Sequence, residues 1–68
     1  MKVERTIRAK YRALQPRMNE RTRRLWAGTE AKALGRGGIA IVTRATSLAR
    51  NTVVRGIAEL ANKQIADT

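Results

Sequence analysis

The chain has 68 residues, 15 of them Lys or Arg against 5 Asp or Glu, giving a formal net charge of +10. That length allows a single domain, one that buries only about 60% of its unfolded surface. With no cysteine and no histidine, the chain lacks disulfide staples, thiolate zinc ligands and the commonest general base.

In chain order, the first predicted element covers residues 2–14. Val3, Ile7, Tyr11 and Leu14 recur at steps of four, four and three and make one apolar stripe. Lys2, Arg5, Arg8, Lys10 and Arg12 occupy the other faces, and Pro16 closes the helix. This helix either joins the bundle or projects as a basic arm. A second helix is expected over residues 19–34, with Asn19 as N-cap and Glu20 in the first turn, where the helix dipole favours negative charge. Leu25, Trp26, Thr29 and Ala33 are its expected inner face, with Trp26 at the centre of a small core, and Gly35 is a natural stop.

The run "GRGG" at 35–38 reads as a hinge. A phosphate-binding loop needs a following Lys-Ser/Thr, and Ile39 and Ala40 stand there instead. A short third helix is expected over residues 39–46 with Ile39, Val42 and Ala45 or Thr46 facing inward. A fourth runs from Arg50 to Ala61 or as far as Ala66, with Val53, Ile57, Leu60 and Gln64 on one face. Gly56 inside it implies close approach of another helix, because glycine costs about 1 kcal/mol relative to alanine in a helix interior. The last residues, "KQIADT", are expected to fray or lead onward. The fold class is therefore all-α, a small bundle of about four helices. Its segments are a basic first helix (1–16), a second helix (19–35), a helix-turn-helix (39–62) and a tail (63–68).

The stretch "VTRATSLARNTVVRGI", residues 42–57, carries the functional signal. A short helix, a tight turn and a second helix with basic residues at its start have helix-turn-helix spacing. Val42 and Thr46 should meet Val53 and Ile57, with Leu48 plugging the turn. Arg50, Asn51, Val54 and Arg55 then fall on the opposite face. Arginine can bond guanine, asparagine can bond adenine, and a valine methyl can touch the thymine methyl. Thr52 is placed to bond a phosphate oxygen, and Arg36 and Arg44, outside this helix, to contact backbone phosphates. Five basic residues and no acidic one lie between Ala31 and Arg55.

The run from Met18 to Leu60, "MNERTRRLWAGTEAKALGRGGIAIVTRATSLARNTVVRGIAEL", resembles the N-terminal region of a family of bacterial insertion-sequence transposases. The shared marks include Asn19, Glu20, Arg21, Arg24, Leu25, Trp26, Leu34, Gly35, Gly37, Gly38, Arg44, Thr46, Leu48, Arg50, Arg55, Gly56, Glu59 and Leu60. The resemblance implies a domain that binds the transposon's terminal inverted repeats. It also implies a separate metal-dependent nuclease domain with an acidic triad, which would lie outside this chain. There are departures. Ser47 stands where helix-turn-helix turns usually place glycine, at a steric cost of about 1 kcal/mol. Ala49 stands where a capping hydroxyl is usual, at about 1 kcal/mol. Thr43 replaces the small residue expected at the helix crossing.

The expectation is duplex DNA binding without catalysis, cofactor, metal or small-molecule substrate. The five carboxylates, Glu4, Glu20, Glu30, Glu59 and Asp67, are too scattered for a paired acid/base site. No apolar run spans a membrane and "MKVERTIRAK" is no secretory signal, so a cytoplasmic, nucleoid-associated protein is expected. Alternatives in view are a stand-alone transcription regulator, RNA binding, and a basic dimerisation module seeded by Ile41 and Val54.

Overall fold

Four α-helices form, and local signals set several of their ends. A computed structural model describes the backbone of residues 2–66 and the side-chain surroundings of residues 2–62. Helix α1 spans Lys2–Leu14, α2 Glu20–Leu34, α3 Gly38–Thr46 and α4 Arg50–Ala66. The chain is all-α among the described residues. Glu4 sits in the first turn of α1 and Arg12 in the last, matching the helix dipole. Pro16 closes α1 but lies in a 3-10 turn of its own, Gln15–Arg17. The Met18 amide donates to the Gln15 carbonyl at 3.2 Å, and Met18 is extended. Asn19 then caps α2, its Oδ1 accepting from the Thr22 amide at 2.9 Å. Gly35 ends α2 with φ of 72°, in the region that favours glycine.

The core is built from small side chains: Ile7, Ala27, Ala31, Val42, Ala45 and Val53, flanked by half-buried Trp26, Leu34, Ile39, Leu48 and Ile57. Helix α4 packs mainly along α2, while α1 and α2 both pack on α3. Because Ile7 and Tyr11 are buried, α1 belongs to the bundle. Tyr11 stacks on Trp26 with ring centroids 5.5 Å apart.

Two apolar stripes need correction. Helix α2 turns Ala27, Gly28 and Ala31 inward, while Thr29 and Ala33 are exposed and Leu25 and Trp26 only half-buried. The small face wins because α4 crosses at backbone contact. A Cβ on Gly28 would stand 2.6 Å from the Gly56 carbonyl carbon, and one on Gly56 would overlap the Arg24 carbonyl oxygen. Trp26 therefore stands at the edge of the core, with Tyr11 over one face of the indole. In α1 the stripe is buried only at its middle, Val3 and Leu14 being exposed at 39% and 38%. The inward sets of α3 and of α4 at Val53 agree with expectation, with Ile39, Ile57 and Leu60 half-buried. The side chain of Gln64, expected on the same face, lies outside the described residues, as do Asp67 and Thr68 entirely. The first part of the expected tail continues α4 to Ala66.

Candidate nucleic-acid interface

The turn between α3 and α4 is three residues, Ser47, Leu48 and Ala49. Ser47 adopts φ of 64° and ψ of 12°, the left-handed conformation that the tight turn demands. The buried Thr46 hydroxyl organises the turn from below. It donates to the Val42 carbonyl at 2.7 Å and accepts from the Leu48 amide at 3.2 Å. Leu48 packs against the core, and the Ala49 carbonyl accepts from Thr52 and Val53 to begin α4. Ala49 offers no side-chain acceptor to the first amides of that helix.

Helix α4 presents two distinct sides. Val53 is fully buried, Gly56 is buried against α2, and Ile57 and Thr52 are half-buried. Arg50, Asn51, Val54 and Arg55 are all exposed. At 3.6 residues per turn these four fall within an arc of about 140°. Ala58, Ala61 and Asn62 continue the same exposed side. Neither Arg50 nor Arg55 has a carboxylate partner among the described residues.

Two contacts fix the angle of α4. One is the backbone approach at Gly28 and Gly56. The other is a two-pronged ion pair, in which Arg24 Nε donates to Glu59 Oε1 at 2.6 Å and Arg24 Nη2 to Oε2 at 3.1 Å. The hydrogen bond from Arg24 holds the Glu59 carboxyl below its ordinary range.

Of the remaining expected contact residues, Arg36 is exposed in the loop between α2 and α3. Arg44 is exposed at 53% but not free. Its Nε donates to Glu4 Oε1 at 3.0 Å, and Glu4 Oε2 also accepts from Arg8 Nη2 at 3.1 Å. The structure thus gathers Arg50, Asn51, Val54 and Arg55 on one helix and leaves Arg36 and Arg44 on other elements. It also reveals a grouping that linear spacing did not point to. The C-terminal half of α1 and the end of α3 bound a cleft of about 300 Å³, lined among others by Arg8, Arg12, Gln15 and Arg44. Arg8, Arg12 and Gln15 recur at helical steps of four and three, but their meeting with Arg44 depends on how α1 packs.

Fold and site together define a small all-α domain carrying an exposed cationic helix behind a tight turn. No protein-family model, no curated protein and no solved structure matches the chain. No helix among the described residues is long and apolar enough to cross a membrane, and no cluster of acidic groups among them could hold a metal ion.

Proposed function

We propose that this chain is a sequence-specific duplex-DNA-binding module that lays the first turns of α4 in the major groove. The observation that carries this reading is the two-sidedness of α4. Arg50, Asn51, Val54 and Arg55 are exposed, the two arginines without a carboxylate partner among the described residues, while Val53 and Gly56 are buried. A helix of about 10–12 Å diameter fits a major groove about 12 Å wide. Arg50 and Arg55 have the donor geometry for guanine, Asn51 for adenine, and Val54 the methyl surface for thymine. Arg36 and the half-buried Thr52 suit phosphate oxygens, which set register without reading sequence. The resemblance of residues 18–60 to the N-terminal region of insertion-sequence transposases makes terminal inverted repeats the target, and the module recognises without cutting. Such a protein acts in the bacterial cytoplasm, on the nucleoid.

Self-association through Val54 is the weaker reading. Val54 is exposed at 42% but flanked by the charged Arg50 and Arg55, which a dimer interface centred there would have to desolvate.

Selection of duplexes from a random pool, followed by salt titration on the selected sequence, tests the proposal. A defined consensus bound with a steep negative salt slope is the expected result. Recovery of no consensus, with equal affinity for all duplexes, would refute sequence-specific reading.

A further inference from the structure

We propose that the cleft between α1 and α3 is a second, sequence-independent seat, one that holds a backbone phosphodiester of the same DNA. This inference rests on the reading of α4 as the groove-bound helix. The cleft has a volume of about 300 Å³ and is walled by Arg8, Tyr11 and Arg12 from α1, by Gln15 from the 3-10 turn that follows it, and by Arg44 and Ser47 from α3 and the next turn.

Charge decides what such a cleft accepts. Three guanidinium groups surround it, and among the described residues the only carboxylate bonded to any of them is Glu4. The final turns of α1 and α3 also end here, and each helix C-terminus contributes roughly −0.5 charge. Those two ends together offset about one cation and Glu4 another, so about one positive charge remains. Capping of two helix ends therefore does not consume the cluster.

Donor capacity points the same way. A guanidinium has five N–H donors. Glu4 takes Nε from Arg44 and Nη2 from Arg8, one donor atom from each. The carboxylate thus ties two arginines together at the edge of the cleft and leaves their other donors available. Arg12 is exposed and has no carboxylate partner among the described residues. Gln15 and the Ser47 hydroxyl add neutral donors of the kind that contact phosphate oxygens.

Position joins the cleft to the groove-reading helix. Ser47 lines the cleft and Arg50 opens α4. Three residues span at most about 10 Å, less than the roughly 12 Å breadth of the major groove. A phosphodiester on the rim of the groove occupied by α4 is therefore within reach of the cleft. Anionic lipid headgroups and free phosphate share this chemistry, and the test separates them.

The experiment uses the full chain, with Arg12→Gln as the probing variant and Arg21→Gln, an equal charge change at an exposed site on α2, as control. Three probes are titrated: a duplex of the selected sequence together with a random duplex, inorganic phosphate followed by NMR of the arginine Nε–H groups, and phosphatidylglycerol vesicles. For Arg12→Gln the log–log salt slope should fall by about 1 on both duplexes, with their affinity ratio unchanged. Arg21→Gln should shift the slope less. Inorganic phosphate should move the Arg8, Arg12 and Arg44 resonances of the wild-type chain. Duplex binding with the wild-type slope retained in Arg12→Gln would overturn the seat while leaving groove reading by α4 intact. If the wild-type chain bound no duplex, yet phosphate moved those three resonances, the seat would stand and the DNA reading would fall. Arg12-dependent binding to vesicles but not to duplex would overturn the assignment to DNA.

Discussion

Arg55 is a sharp probe at the scale of single residues, because it is exposed, lacks a carboxylate partner among the described residues, and lies one turn into α4. Arg55→Ala should weaken binding to the selected duplex by about 1–3 kcal/mol and relax preference at one base position. Competition binding against single-base variants of the site measures both. A variant that kept the full base preference of the wild type would remove Arg55 from base reading. Ser47 is a second probe. Its left-handed backbone at φ of 64° carries strain that glycine relieves. Glycine also gives the unfolded chain more freedom, which offsets part of that relief. Ser47→Gly should therefore stabilise the fold by up to about 1 kcal/mol, read as a shift of the urea midpoint with unchanged slope. Loss of stability in that variant would show that the serine side chain contributes more than its backbone costs.

Among the elements, the α2–α4 pair sets how the cationic face is presented. Gly56 is buried, and a Cβ there would overlap the Arg24 carbonyl oxygen. Alanine gains up to about 1 kcal/mol of helix propensity over glycine. Overpacking against backbone costs about 1–3 kcal/mol or more, and a carbonyl inside a helix cannot swing aside as a side-chain tip can. The steric term wins, so Gly56→Ala should destabilise the domain in thermal or urea unfolding. Unchanged or raised stability would mean that the helices separate without cost, and α4 would not be held at a fixed angle.

For the whole molecule, excess positive charge and a few acidic anchors make stability depend on pH and salt. Glu4 and Glu59 both have carboxyl groups held below the ordinary range, first of all by hydrogen bonds from Arg44 and from Arg24 respectively. A carboxylate with a depressed folded-state pKa adds stability at neutral pH. That contribution is lost as pH falls from the unfolded value, about 4.3 for glutamate, through the lower folded one. The melting temperature should hold steady down to about pH 5 and then fall. Glu59→Gln should lower stability at pH 7 and flatten part of the acid-side decline. An acid limb equally steep in that variant would exclude the Arg24–Glu59 pair as its source.

The sequence by itself determined where α2 starts and where α1 and α2 stop, because those signals are local. Asn19 offers a cap, Pro16 cannot continue a helix, and Gly35 takes a positive φ, whereas Ser47 and Ala49 lack the usual glycine and capping hydroxyl, and the helical patterns on either side located that turn. It also grouped Arg50, Asn51, Val54 and Arg55 within one arc of the fourth helix that leaves Val53 outside, since helical periodicity alone fixes that relation. Only the tertiary structure decided which side of α2 is buried. Hydrophobicity favoured Leu25 and Trp26, but closeness of backbones, not side-chain size, governs a crossing built on Gly28 and Gly56. The tertiary structure likewise put Glu4 between Arg8 and Arg44, residues 40 positions apart at the longer contact, and so opened the cleft beside α4. Contacts of that kind follow from how helices pack on one another, which a periodic pattern within a single helix does not encode.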